Sequence, residues 1–139
     1  MAGLSRRLEA AADQRGDAAG VVGTLVLHPE THGLDCVVLA ALVSSWAMAR
    51  AYLSRWGAKR MGEGSFTIGR AELLSTPLPE RATQPAFVAE VTSLLGPDGA
   101  PRDDDADVAL QRVIARAYGV DDAPGFEALA AWYHARSAF

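Results

Sequence analysis

The sequence predicts an α+β domain, mostly helical, with a small sheet of two or three strands around one central buried helix. Three observations predict it. Val21–Leu27 is rich in β-branched residues and apolar on both faces, the pattern of an internal strand. Cys36 to Trp56 repeats its apolar positions with helical spacing on two faces at once, as a helix surrounded by other elements must. Three later segments each carry one apolar stripe, which adds helices to the outside of that core. The chain of 139 residues is the size of one ordinary domain.

In chain order, Leu4 to Gln14 reads as a short helix or a frayed end, and residues 1–20 are set apart as a flexible or short helical N-terminus. Residues 21–139 form the single domain. Pro29 ends the first strand, and Asp35 caps the long helix. In that helix Val38, Leu39, Leu42, Trp46, Ala49, Leu53 and Trp56 make the main stripe, with Val37, Ala41, Met48 and Tyr52 on a second face. A glycine turn, a short strand around Ser65–Ile68 and a helical turn around Arg70–Leu74 follow. Pro77 and Pro79 force extended backbone. Thr83 and Pro85 start a helix that turns Phe87, Val88, Val91, Leu94 and Leu95 inward, and Gly96 and Pro97 close it. After a surface loop, Leu110, Val113, Ile114, Ala117 and Tyr118 form one stripe that Gly119 stops. Phe126, Leu129, Ala130 and Tyr133 form the last.

Half the residues are apolar, 22% are charged and the net charge is −4, so any attraction to a polyanion must come from local clustering. Cys36 is the single cysteine and reads as a buried thiol. The first residues lack the apolar centre of a signal peptide. The longest uncharged stretch, Cys36 to Ala49, is shorter than the roughly 20 residues of a membrane span. A cytoplasmic protein with no membrane partner is expected.

Most candidate chemistry dissolves on inspection. His28, His32 and Cys36 are spaced by four, but Pro29 and Gly33 keep them off one helical face, and no second pair completes a tetrahedral site. Asp103, Asp104, Asp105 and Asp107 lack the glycine turn and closing glutamate of a calcium loop, and suit the first turn of a helix. Ser44 and Ser45 have no glycine-flanked elbow, and read as packing or back-bonding serines. Gly62-Glu63-Gly64 completes neither a dinucleotide fingerprint nor a P-loop, and reads as a tight turn. One feature is left. Between positions 50 and 70, Arg50, Arg55, Lys59, Arg60 and Arg70 face only Glu63 in the way of acids. Cations beside a glycine turn suit phosphates, though cations also suit a helix C-terminus.

The stretch "LAALVSSWAMARAYLSRWGAKRMGEGSFTIGRAELLSTPLP" resembles a region downstream of the catalytic domain in N6-adenine DNA methyltransferases of restriction–modification and phage-defence systems. There a Leu-Leu-Asn-Ser-type helix leads to a basic, glycine-rich stretch, a short strand and a Leu-Pro-x-Pro-like segment. The matching positions are Leu42 to Ser45, Lys59 to Gly64, Phe66 to Ile68 and Pro77 to Pro79, with Val43 standing where the family usually has asparagine. "LQRVIARAYGVDDAPGFEALAAWY" is similar to the family's closing helices, with Tyr118, Gly119 and Val120 at their turn. The resemblance covers about Val21 to Tyr133 and rests on the order of several weak motifs. The Asn/Asp-Pro-Pro-Tyr/Phe motif and the S-adenosylmethionine loop of such enzymes are not in the sequence. The resemblance therefore implies a non-catalytic DNA-recognition or accessory module, without a cofactor, serving a larger methyltransferase or defence-complex protein. Arg55, Lys59, Arg60, Gly62, Gly64, Ser65 and Arg70 would meet the DNA. The alternative is a protein-interaction subunit that docks on such a protein without touching DNA, through Trp56, Trp132 or Phe139.

Overall fold

Helices account for nearly all the regular structure among the described residues. The computed structural model describes residues 4–5, 8–16, 27, 34–56 and 66–137. Among these residues six α-helices run in chain order: α1 (Cys36–Val43), α2 (Trp46–Trp56), α3 (Arg70–Leu74), α4 (Pro85–Ser93), α5 (Asp104–Ala117) and α6 (Ala123–Ser137). A 3-10 turn at Glu80–Thr83 precedes α4.

The expected α+β class is wrong. Among the described residues the only strands are two-residue pieces, Leu4 opposite Thr67 and Ser5 opposite Phe66, and no sheet layer forms. The physical reason is that helical stripes already fill the core. Val38 and Leu42 of α1, Trp46 and Ala49 of α2, Phe87 and Val91 of α4, Leu110 and Ile114 of α5, and Phe126, Leu129 and Tyr133 of α6 make one buried cluster. Among the described residues, these helical faces close on one another to make the core, and no sheet contributes to it. The strand expected at Val21–Leu27 lies outside the described residues, apart from Leu27. Of the one expected at Ser65–Ile68, Ser65 lies outside too. Leu8 to Asp13 is not helical.

A second, smaller cluster joins Leu8, Val43, Met48, Tyr52, Leu53 and Leu73. Trp132 and Tyr118 pack against both clusters. The helix expected at the centre is central in the fold, since α2 packs on α1, α3, α5 and α6.

It is not one helix, however. The stretch from Cys36 to Trp56 breaks at Ser44–Ser45, and the two halves meet at 61°. A break orphans the first N–H groups of the new helix, and these are buried here. Gln111, reaching from α5, accepts from the Trp46 N–H through Oε1 at 2.9 Å. Ser45 Oγ accepts from the Met48 N–H at 3.1 Å and donates to the Leu42 carbonyl at 2.6 Å. Ser44 Oγ accepts from the Ala10 N–H at 2.8 Å, which ties the N-terminal strap Leu8–Asp13 across the elbow. The serines read as back-bonding in sequence do bond to backbone, and in doing so turn the chain. No single helix among the described residues is long and apolar enough to cross a membrane.

The later elements follow their sequence signals. Pro85 stands in the first turn of α4. Asp103 caps α5 by accepting from Ala106 N–H at 2.7 Å, and Asp104, Asp105 and Asp107 line its first turn. Gly119, with φ +91°, ends α5. Its N–H donates to the Arg116 carbonyl and that of Val120 to the Ala115 carbonyl, each at 2.9 Å, the two bonds of a Schellman motif.

Candidate nucleic-acid interface

The basic region begins at the C-terminal end of α2. Its first two turns are buried except on the side of Arg50, holding Trp46, Ala47, Met48, Ala49, Tyr52 and Leu53. Beyond them the helix emerges, so Ser54 and Arg55 are exposed. A cation in the last turn also complements the partial negative charge there.

Tyr52 ties α2 to α3. Its ring is buried, and its hydroxyl accepts from the Gly69 N–H at 3.1 Å, which fixes the start of α3 against α2. Arg55 stands one turn further along the same side of α2, since residues three apart are neighbours on a helix. Its Nη1 reaches the Ser75 carbonyl at the other end of α3, a long contact at 3.4 Å. Arg70 is the first residue of α3 and is exposed. The two arginines therefore bracket α3. Among the described residues, neither is paired with a carboxylate. Glu72 folds its carboxylate back over Gly69, filling the space that a Cβ would take there. A negative group suits that end of the helix.

Behind α3, the Pro77–Pro79 segment is anchored by Tyr118. Its hydroxyl donates to the Pro77 carbonyl at 3.2 Å and lies 3.4 Å from Met48 Sδ. Burial pushes this phenol from 10.0 up to about 12. The Tyr118-Gly119-Val120 turn thus joins α5, α2 and the extended segment after α3.

Of the expected contact residues, Arg55 and Arg70 stand at opposite ends of α3. Lys59, Arg60, Gly62, Gly64 and Ser65 lie outside the described residues. Arg50, also part of the basic cluster, is separated from Arg55. Five residues along a helix place it about 140° round the axis. It turns to α6, where its guanidinium carbon stands 5.0 Å from the centroid of the Trp132 ring. Three polar roles escaped the sequence reading. Tyr52 reads as part of an apolar face and Trp132 as a docking residue, and neither pattern signals a polar contact. Gln111 sits at a helical position beside Leu110, where nothing marked it for burial.

Among the described residues no group of three His, Cys, Asp or Glu side chains could hold a metal ion. His28 and His32 lie outside them, and Cys36 is a free, half-buried thiol. Comparison with protein-family models, with curated proteins and with solved structures finds no match.

Proposed function

We propose that the chain is a non-catalytic DNA-recognition or accessory module of a DNA methyltransferase, in a restriction–modification or phage-defence system. One observation supports this most: Arg55 and Arg70 are exposed, bracket the same short helix, and have no carboxylate partner among the described residues. Exposed cations without counter-charges suit a polyanion, whose condensed ions they displace. In this reading Arg55, Arg70, Lys59 and Arg60 meet phosphates. The Gly62–Gly64 turn lets the backbone come close, and α2 is the rigid support. The module reads no base through these groups, since phosphate contacts set position rather than sequence. The larger partner protein supplies the chemistry.

The rival reading, a protein-docking subunit, calls for a broad exposed apolar patch. Among the described residues the large exposed apolar side chains are Leu74, 64% exposed, and Val108, 44% exposed, on separate helices.

Fluorescence anisotropy with a labelled duplex over a salt series tests it. Lys59→Ala and Arg60→Ala should each weaken binding to every sequence, and each should lower the salt slope by about one. Unchanged affinity and slope in both variants would refute the proposed contacts.

A further inference from the structure

Among the described cations of the basic cluster, Arg50 is the one that the fold turns away from α3, and its surroundings give it a distinct character. Its guanidinium lies over the Trp132 ring. Trp132 is half-buried and packed against both apolar clusters, so the ring is a fixed platform. Arg50 itself is exposed. Among the described residues the guanidinium has no hydrogen-bond or ion-pair partner beyond that ring. Helix α2 contains no acidic residue, and α6 only Glu127, five residues before Trp132. An arginine held over an aromatic face keeps its N–H edge free while losing much of its rotational freedom. That is the arrangement for two-point recognition of a phosphate, which a lysine cannot reproduce.

We infer that Arg50, positioned by Trp132, forms a second phosphodiester-binding point on the α2–α6 side of the domain. Trp132 is a positioning residue, and Arg50 the contact. The inference rests on the DNA-binding reading and extends it: the duplex backbone meets both sides of α2, at Arg55 and Arg70 beside α3 and at Arg50 beside α6. A second arginine makes a useful comparison. Arg112 stands 4.6 Å from the centroid of Phe126, the same kind of stack between α5 and α6. It belongs to no basic cluster in the sequence, and the inference gives it no role in binding.

The test uses the full chain and a fluorescein-labelled DNA duplex over a salt series. Arg50→Ala should bind several-fold more weakly, with the salt slope reduced by about one. Arg50→Lys should keep the slope but not recover the affinity, because the charge stays and the planar fork is lost. Duplex should quench tryptophan fluorescence in the natural chain and less in Trp132→Phe, which keeps a ring on the core. Arg112→Ala should bind as the natural chain does. If Arg50→Ala binds normally while Arg55→Ala and Arg70→Ala bind weakly, this inference fails and the DNA reading stands. If all three bind normally, both fail. Equal losses for Arg50→Ala and Arg112→Ala would also overturn the inference, since general charge would then explain the effect.

Discussion

The two ends of α2 are built on opposite terms. At its start, the elbow at Ser44–Ser45, buried donors are met: Trp46 N–H by Gln111, Met48 N–H by Ser45. At its finish, Arg55 is exposed, and with Arg70 it has no carboxylate to answer it among the described residues. Most buried polar groups are matched inside the chain, because no water reaches them; Trp56 Nε1, at the finish of α2, is an exception among the described residues. Exposed charges can wait for a partner at little cost. The contrast separates residues that hold the fold from residues left for binding, and it makes distinct demands on variants at each end.

Gln111→Ala should have the largest effect. It strands the Trp46 N–H in the core, at a cost of about 1–3 kcal/mol with further loss from the cavity. Chemical denaturation measures it, and a loss below about 0.5 kcal/mol would show that the elbow does not depend on this bond. Ser45→Ala should come next, at about 0.5–2 kcal/mol, as for other residues that cap a helix start. Both variants should keep their affinity for DNA under conditions where they are folded. A weakening as large as that from the cation variants would erase the distinction between the two ends.

Tyr118 adds a smaller, pH-dependent contribution. The folded chain keeps the phenol neutral up to about 12, whereas an unperturbed tyrosine loses its proton near 10.0. Its contribution to stability is whole below the unfolded value and is lost as pH rises through the folded one. Denaturation of the natural chain and of Tyr118→Phe across the alkaline range should show a steeper decline in the natural chain. Parallel profiles would mean that the phenol does not titrate on unfolding as described.

How far the sequence foretold this molecule differs from element to element. Helices α4, α5 and α6 were legible because each has one apolar stripe, and α4 and α5 also have punctuation: Pro85 starts α4 and Gly119 stops α5. The α+β class was misjudged because the described core is filled by helical stripes from five helices, and only two-residue strand pieces stand beside it. The break at Ser44–Ser45 was hidden, since the apolar period runs through it. The bend is held by the serines themselves and by the long-range bond from Gln111, 65 residues away, which no local pattern announces. At the candidate site, the count of cations was visible but their directions were not. Arg50 and Arg55 were read as one cluster, and the helix turns them about 140° apart.

The most direct test of the DNA reading is the salt dependence of duplex binding by the natural chain and by the double variant Arg55→Ala/Arg70→Ala. Both side chains are exposed, so the double variant should stay within about 0.5 kcal/mol of the natural stability. If these arginines meet phosphates, log K against log salt should lose about 1.8 units of slope, roughly 0.9 for each contact removed. A duplex affinity and slope equal to those of the natural chain, in a variant that folds normally, would contradict the claim.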